Sequence, residues 1–264
     1  MTGKVAVITG ASQHIGAGLV AAYRGRGWAV VATARTIRLA EDPEVLSVDA
    51  DIADPAAAGR ITAAALERFG RIDTLVNTEG AVISKPFTDY TAADYATVIG
   101  VNLTGFFWLT QHAIAEMASR YGGHVVNVTT PLAEVADSGT PAALAALATG
   151  GLAAATRSLA AEYAAYGIRV NAVSPGIIAT PVHPAGSHEG LGEKLPYSAG
   201  PTRSAMSWTA SCSWSPRGTS PARSCTSTAA RLSATEAPAR PPGRLAHAVP
   251  AQSSVRGGRR CRAW

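Results

Sequence analysis

Over residues 4–176 the chain alternates short apolar runs with longer segments of helical spacing. Six runs fit buried strands: KVAVITG (4–10), WAVVATAR (28–35), EVLSVDADIAD (44–54), IDTLVN (72–77), GGHVVNVTT (122–130) and GIRVNAVSPG (167–176). The helical segments are 14–27, 55–70, about 91–120 and about 142–166. Because parallel strands need long crossover connections, this alternation predicts a parallel sheet with helices on both faces. Right-handed crossovers then favour a doubly wound α/β fold.

The composition changes abruptly near residue 200. Residues 1–200 carry 13 Lys and Arg against 17 Asp and Glu, whereas residues 201–264 carry 10 Arg, no Lys and one acid, Glu236. The three cysteines, Cys212, Cys225 and Cys261, also lie in this last segment. The pI of 9.4 is therefore a property of the last segment and indicates no basic surface on the preceding domain.

Several classes of protein and site are excluded by pattern. No 18 consecutive residues are apolar, so we expect no membrane span. The N-terminal MTGKVAVITG enters a strand at once and shows no small-residue cleavage site, which favours a cytoplasmic protein. His183 and His188 have no acid or Cys at matching spacing, and the cysteines lack zinc spacing, so we predict no metal site.

The first strand ends in the glycine-bearing turn TGASQHIG, Thr9 to Gly16. Such a turn between strand and helix lets backbone N–H groups and the helix N-terminus approach a pyrophosphate. The turn alone is a weak signal. It predicts phosphate contacts along the residues Gly10, Ser12, Gln13, His14, Ile15 and Gly16.

Several motifs in the same order make the chain resemble the short-chain dehydrogenase/reductase family from Lys4 to about His183. Thr9, Gly10 and Gly16 match its T-G-x-x-x-G-x-G pattern, and NTEG, residues 77–80, matches its N-N-A-G. The resemblance implies a Rossmann-like fold and hydride transfer between a nicotinamide cofactor and a small-molecule carbonyl or alcohol. It assigns further cofactor contacts to Arg35, Asp51, Ile52, Asn77, Gly80, Pro175, Gly176 and Ile177.

The end of the second strand bears on the choice of cofactor. Ala34 stands where an acid would hold the ribose 2′-OH of NAD, and Arg35 stands where the family often uses Arg for a 2′-phosphate. The resemblance therefore implies NADP(H), with NAD(H) as the alternative. The structural alternative for Arg35 is a solvated side chain that opens a loop.

The family's catalytic residues are only partly matched. Asn102 matches the helix Asn, and Thr130 falls on the Ser position with Thr129 beside it. Aligning ATRSLA, residues 155–160, puts Ala145 in the Tyr position and Thr149 in the Lys position. Neither side chain can move a proton near neutral pH, so we expect impaired catalysis. A non-catalytic nucleotide-binding or dimerisation module is the alternative.

Two further departures bear on cofactor binding. His14 replaces the middle glycine of the first turn, where a side chain is expected to crowd the phosphates or to force a changed loop. Its alternative role is a new phosphate ligand. Glu79 replaces a small residue and adds negative charge beside the expected path of a polyanion.

The segment after Gly200 does not supply the family's last helix and strand. If Met206 to Ala230 is written in G/C-rich codons and read one nucleotide earlier, the bases can spell DVVDGVLLLESAGYVTGEILHVDGG. That peptide has an amphipathic helix and an alternating strand that ends in D-G-G, as the family does. We therefore infer a frameshift upstream of Met206 and predict a fold without its usual last helix and strand.

These patterns divide the chain into residues 1–199, a nucleotide-binding domain, and residues 200–264, an out-of-frame tail. The tail has few aliphatic residues to offset its ordering entropy, so we predict that it is disordered. We expect no nucleic-acid or membrane partner, although an arginine-rich tail could bind nucleic acid. The apolar stripe of the segment 95–117 predicts core packing and a helix-packing dimer face. The resemblance implies a homodimer through the two central helices.

Overall fold

Six parallel strands form the body of the protein. The computed structural model describes residues 3–78, 80–130 and 139–175, with the backbone of 178–179, 202–203 and 224–225. The strand order is β3-β2-β1-β4-β5-β6. In chain order the strands are β1 (Val5–Ile8), β2 (Ala29–Ala34), β3 (Val45–Asp49), β4 (Thr74–Asn77), β5 (Gly123–Val128) and β6 (Ile168–Val173). The predicted doubly wound α/β sheet is therefore confirmed.

Five α-helices connect these strands. They are α1 (His14–Arg24), α2 (Pro55–Phe69), α3 (Ala92–Ile99), α4 (Phe106–Ser119) and α5 (Ala143–Glu162). The single helical region expected from about 91 to 120 is interrupted, because a π-helical turn at Gly100–Gly105 separates α3 from α4. The last helix ends earlier than the expected residue 166, and a 3₁₀ turn at Ala164–Tyr166 follows it.

Helices pack on both faces of the sheet. On one face, α2, α4 and α5 cover side chains of β1, β2, β4, β5 and β6, in a core that includes Val7, Val31 and Leu75. On the other face, α1 packs through Leu19 and Tyr23 against the alternate side chains of the same strands. This alternation follows from the two-residue period of a strand. Both faces are buried, so the strands read as continuous apolar runs in the sequence.

Local signals set the helix ends. Asp54 caps α2 by accepting a hydrogen bond from the backbone N–H of Ala56 at 2.9 Å, and Gly70 ends it in the left-handed region at φ 74°. Thr91 and Asp94 form a capping box at the start of α3. These are the preferred residue types at such positions.

The sheet continues past β6 for two residues. Strand β9 (Ser224–Cys225) pairs in parallel with β6, with Ala172 opposite Ser224 and Val173 opposite Cys225. Strands β7 (Ile178–Ala179) and β8 (Thr202–Arg203) form a separate parallel pair. In the alternative reading frame, positions 224–225 fall within its terminal strand, GEILHV. The sequence also predicted that the last helix is lost and that residues 200–264 are disordered. Apart from 202–203 and 224–225, the residues concerned lie outside the described part of the chain.

Among the described residues, helix α5 is long and apolar enough to cross a membrane by length and composition alone. Core helices of soluble proteins pass the same test. One side of α5 is buried in this fold, and its Ala145, Ala148 and Thr156 are almost fully covered. The length and composition of α5 are accounted for by packing on the sheet.

Candidate active site

A cavity of about 200 Å³ lies at the carboxyl edge of the sheet, where ligands bind in open α/β folds. Its described polar lining residues are Thr9, Asn77, Thr78, Asn102, Thr129, Thr130 and Thr149. The other described lining residues are Ile15, Ile52, Gly80, Ala81, Val82, Val101, Phe106, Val128, Leu152 and Pro175. The ends of β1, β4 and β5 meet here with helix α5, although these residues are far apart in the sequence.

The turn after β1 is closed by a glycine-to-glycine contact. Gly10 has φ 59°, and a Cβ at position 16 would lie 2.1 Å from the carbonyl oxygen of Gly10. Position 16 therefore requires glycine. The N–H of Ala11 donates to the carbonyl of Thr33 at 3.0 Å, which ties the turn to β2. Helix α1 thus begins directly beyond the strand, as an anion site requires.

The N-terminus of α1 has no side-chain cap. Gln13 occupies the N-cap position without a side-chain hydrogen bond to the helix, and Ser12 and Gln13 are both exposed. The first N–H groups of a helix have no partner within it. They therefore remain able to bind an anion, and the helix dipole favours negative charge there.

His14 adopts a backbone conformation that favours glycine. Its φ is 51°, in the left-handed region that non-glycine residues rarely occupy. The sequence predicted that the His14 side chain either crowds the phosphates or forces a changed loop. A left-handed backbone at His14 favours the first of these, because the turn then keeps a shape that suits glycine. The side chain is therefore added to a turn that is built for glycine.

The end of β2 has an unpaired cation. Ala34 is buried, whereas Arg35 is exposed and has no ion-pair or hydrogen-bond partner among the described residues. The following loop is ordered by Asp49, which accepts a hydrogen bond from the N–H of Ile37 at 2.8 Å. Arg35 thus lies at the start of a hydrogen-bonded loop next to the carboxyl edge of the sheet.

The loop after β3 packs under the π-helical turn. Asp51 accepts a hydrogen bond from the N–H of Ala53 at 2.9 Å, which fixes the turn. A Cβ at Gly105 would come within 2.7 Å of the Ile52 side chain, so α4 approaches this loop closely. Ile52 is buried and lines the cavity.

Asn77, expected to contact the cofactor, is bound to the protein interior. Its Nδ2 donates to Asn127 Oδ1 at 2.9 Å and to Thr110 Oγ1 at 3.2 Å. Asn127 in turn donates to Thr156 Oγ1 at 2.9 Å. This buried network connects β4, β5, α4 and α5, and the sequence reading missed it because the partners lie far apart in the chain.

Thr78 joins the end of β4 to the end of β1 through two hydrogen bonds. Its backbone N–H donates to Thr9 Oγ1 at 3.0 Å, and its hydroxyl donates to the carbonyl of Thr9. Both residues line the cavity, and both belong to matched sequence motifs, although neither motif predicted that they would bind each other. Glu79, which follows, lies outside the described residues.

The Asn102 side chain is tied to the segment after β4. Its Oδ1 accepts from the N–H of Ala81 at 2.8 Å, and its Nδ2 donates to the carbonyl of Ala81 at 2.9 Å. The residue is buried within the π-helical turn. π-Helical turns occur often at functional sites. Here the π-helical turn positions the Asn102 amide so that its two hydrogen bonds hold Ala81, which lines the cavity.

The two expected catalytic positions carry no acid or base. Ala145 is fully buried, and Thr149 Oγ1 donates to the carbonyl of Ala145 at 2.8 Å. Thr149 and Thr130 line the cavity, as does Thr129, whose N–H donates to the carbonyl of Val173 at 2.8 Å. None of the described lining residues has a group that titrates near neutral pH.

The tyrosines near the end of α5 belong to a separate aromatic cluster. The ring centroids of Tyr163 and Tyr166 are 6.0 Å apart, and Tyr166 stacks on Tyr121 at 5.8 Å. Burial raises the pKa of the Tyr163 phenol, and the neighbouring Glu162 raises it further. Neither Tyr163 nor Tyr166 is among the described residues that line the cavity.

Of the remaining residues predicted to contact the coenzyme, some line the cavity and others lie outside the described residues. Pro175 lines the cavity, whereas Gly176 and Ile177 lie outside the described residues, as do His183 and His188. Within the described part of the chain, no group of three or more His, Cys, Asp or Glu could hold a metal ion.

One relative and one solved structure place this arrangement among known folds. The oxidoreductase UcpA of Escherichia coli K12 is 37% identical over 198 residues, covering 69% of this chain and 72% of UcpA. A short-chain type dehydrogenase/reductase from Mycobacterium marinum is 25% identical, with a TM-score of 0.72 over 78% of this chain and 85% of that chain.

A second relative is more similar still in sequence. The 1,6-dihydroxycyclohexa-2,4-diene-1-carboxylate dehydrogenase of Pseudomonas putida is 41% identical over 182 residues, which cover 66% of each chain. The sequence profile of the short chain dehydrogenase family matches residues 4–189. The chain therefore belongs to the short-chain dehydrogenase/reductase family.

Proposed function

We propose that this protein binds a nicotinamide dinucleotide, NADP(H), along the carboxyl edge of the sheet and is an oxidoreductase by descent whose chemistry is impaired. The contact between Gly10 and Gly16, which brings an uncapped helix N-terminus to the end of β1, carries the proposal. Such a coenzyme would supply hydride transfer to or from a carbonyl or alcohol carbon. The protein's own residues would bind it and exclude water.

Most of the described residues along the carboxyl edge are compatible with a bound coenzyme, and one of them, His14, is not. The N–H groups of the first turn of α1 would hold the pyrophosphate, Asp51 and Ile52 would flank the adenine, and the wall at Thr130 and Thr149 would face the nicotinamide. The His14 side chain opposes the fit, because it stands in a turn that is built for glycine. We therefore expect NADPH to bind weakly.

Calorimetric titration of the full chain with NADPH, together with an assay of NADPH oxidation by aldehydes and ketones, tests the proposal. We expect measurable binding with turnover far below that of an intact family member. A chain that binds no nicotinamide coenzyme would overturn the proposed function.

The coenzyme preference rests on the exposed, unpaired Arg35 beside the buried Ala34. Replacing Arg35 with Gln should weaken NADPH binding by about tenfold, because a charge-assisted contact with the 2′-phosphate is lost. NADH affinity should change little. The matched control is Arg38→Gln, which removes an exposed arginine from the same loop. Equal losses for NADPH and NADH in Arg35→Gln would contradict the preference.

A second candidate function, a non-catalytic dimerisation module, is favoured by one surface. Phe107 and Trp108 of α4 lie edge to face with centroids 5.0 Å apart, and both are exposed. On α5, Leu147 is 64% exposed in a row with the exposed small residues Gly150 and Ala154. Exposed aromatic residues on α4 and exposed small residues on α5 allow close packing of a second copy. We propose a homodimer through this surface.

We expect Leu147→Glu to convert the dimer to a monomer, because the new carboxylate would be buried without a partner. Leu147 is too exposed for the change to affect folding of the protomer. Leu39→Glu is the control, since Leu39 is 87% exposed in another part of the surface. Sedimentation at micromolar concentration checks both variants. A wild-type chain that sediments as a monomer would contradict the proposal.

We also propose that residues 200–264 arise from a frameshift and do not belong to the domain of residues 1–199. The alternative frame supports this, because it can encode an amphipathic helix and a strand that ends in D-G-G. Because residues 1–200 carry more acidic than basic side chains, we propose that the domain has no nucleic-acid partner. We also propose a cytoplasmic location. A gel-shift assay and cell fractionation would test these two points.

Limited proteolysis should remove the segment after about residue 200 before any cleavage within β1–β6, because few aliphatic residues anchor it. The cleavage sites can be mapped by mass spectrometry. Sequencing the gene around codons 185–206 provides the independent check. A protease-resistant tail with slow amide exchange, or a gene with no open alternative frame beyond codon 206, would contradict the frameshift.

A further inference from the structure

The buried side-chain hydrogen bonds behind the cavity run in one direction. Thr156 donates its hydroxyl to the carbonyl of Leu152 at 2.8 Å, so its oxygen can only accept from the Nδ2 of Asn127, at 2.9 Å. The Oδ1 of Asn127 then faces Asn77, whose Nδ2 donates to it at 2.9 Å. The orientation of both amides therefore follows from the single hydroxyl of Thr156.

Packing of the sheet does not require a polar pair at this point. Asn77 and Asn127 lie directly opposite each other on β4 and β5. Two residues earlier, on the same face of the sheet, Leu75 and Val125 form an apolar pair within the core. Asn127 is fully buried, and a buried amide is unfavourable unless it is hydrogen-bonded. A hydrogen-bonded pair of this kind specifies one arrangement of the elements that it joins.

One of those elements is helix α5, which forms part of the cavity wall. Thr149, Leu152 and Thr156 follow one another at spacings of three and four residues, so they share one face of the helix. Thr149 and Leu152 line the cavity, and Thr156 is buried. A slide or rotation of α5 that broke the bond from Asn127 would therefore also move the wall.

The other end of the network reaches the turn after β1. Asn77 also donates to Thr110 Oγ1 of α4 at 3.2 Å, and the next residue, Thr78, donates its backbone N–H to Thr9 Oγ1 at 3.0 Å. Gly10, which begins the proposed pyrophosphate turn, follows Thr9 directly. The hydrogen bonds thus connect the wall at α5 with the ends of β4 and β1.

We propose that Asn127 and Thr156 are positioning residues, which hold the α5 wall of the cavity in place relative to the end of β4 and so favour binding of the coenzyme. This inference rests on the proposed function, because that coenzyme would occupy the same cavity. Neither residue is among the described residues that line the cavity. An effect of either on binding would therefore be transmitted through Asn77 or Leu152.

Thr156→Val tests the proposal, because it removes the hydroxyl with little change of shape. In calorimetric titration of the full chain with NADPH, we expect affinity to fall about fivefold. Thr156→Ser, which keeps the hydroxyl, should bind as tightly as the unsubstituted chain. The matched control is Thr62→Val on α2, because the Thr62 hydroxyl is buried and has no hydrogen-bond partner among the described residues. This control should leave the affinity unchanged.

Amide hydrogen exchange without coenzyme provides a second measurement. The Thr78 amide should exchange faster in Thr156→Val than in the unsubstituted chain or in Thr62→Val, because the network transmits the change to the end of β4. Faster exchange within α5 alone, or unchanged NADPH affinity in Thr156→Val, would overturn the inference. A failure of the unsubstituted chain to bind NADPH would overturn the proposed function, whereas faster exchange at Thr78 would still show that α5 is coupled to the end of β4.

Discussion

Ala145→Tyr combined with Thr149→Lys, in a chain whose reading frame is restored from Met206, should give carbonyl reduction by NADPH at least about 100-fold faster than the restored chain alone. A positioned general acid contributes about 10²–10⁴-fold. Positions 145 and 149 are one turn apart on α5, so their side chains share a helix face. Thr149 already lines the cavity, which places a Lys there within reach of the coenzyme region.

Neither single substitution should achieve this gain. A free Tyr titrates near pH 10, about three units above the working pH, so an untuned phenol is a poor acid. The Lys lowers the pKa of that phenol, and the two residues act as a unit. The gain of the double variant should therefore exceed the product of the two single gains.

The matched control is Ala145→Phe with Thr149→Lys, which adds the ring and the ammonium without a proton to donate. The rate of NADPH oxidation with a panel of aldehydes and ketones is measured for the restored chain, the two single variants, the double variant and this control. Circular dichroism verifies that each is folded, since Ala145 is fully buried. Rapid turnover by the restored chain without either substitution would show that another residue supplies the proton.

His14→Gly should raise both the affinity for NADPH, by about tenfold or more, and the melting temperature. The affinity should rise because His14 has a left-handed φ of 51° that favours glycine, and its removal should relieve the expected crowding of the pyrophosphate. The stability should rise because a left-handed residue with a Cβ costs about 1–2 kcal/mol relative to glycine. Calorimetric titration and thermal unfolding measure the two effects separately.

His14→Asn separates the two causes. Asparagine tolerates the left-handed region but retains a side chain, so it should recover stability without the full gain in affinity. Glu79→Ala should add to the affinity gain by removing negative charge. Unchanged NADPH affinity in His14→Gly would contradict crowding, and weaker binding would show that His14 is instead a phosphate ligand.

The fold could be predicted from the sequence because its signals are local. Continuous apolar runs marked the six strands, and Pro55 and Gly70 marked the two ends of α2. The interruption between α3 and α4 could not be predicted in this way. It occurs where Gly100 and Gly105 pass close to Ala53 and Ile52, about fifty residues earlier in the chain.

The sequence by itself determined the family and the glycine turn at Gly10–Gly16, and it predicted Ala145 and Thr149 at the two catalytic positions. These conclusions depend only on residue identity and short-range spacing. Only the tertiary structure decided that Asn77 binds Asn127, that Asn102 binds Ala81 and that Thr78 binds Thr9. Those partners lie 50, 21 and 69 residues apart, and no local pattern encodes which buried polar groups will meet when the strand ends converge.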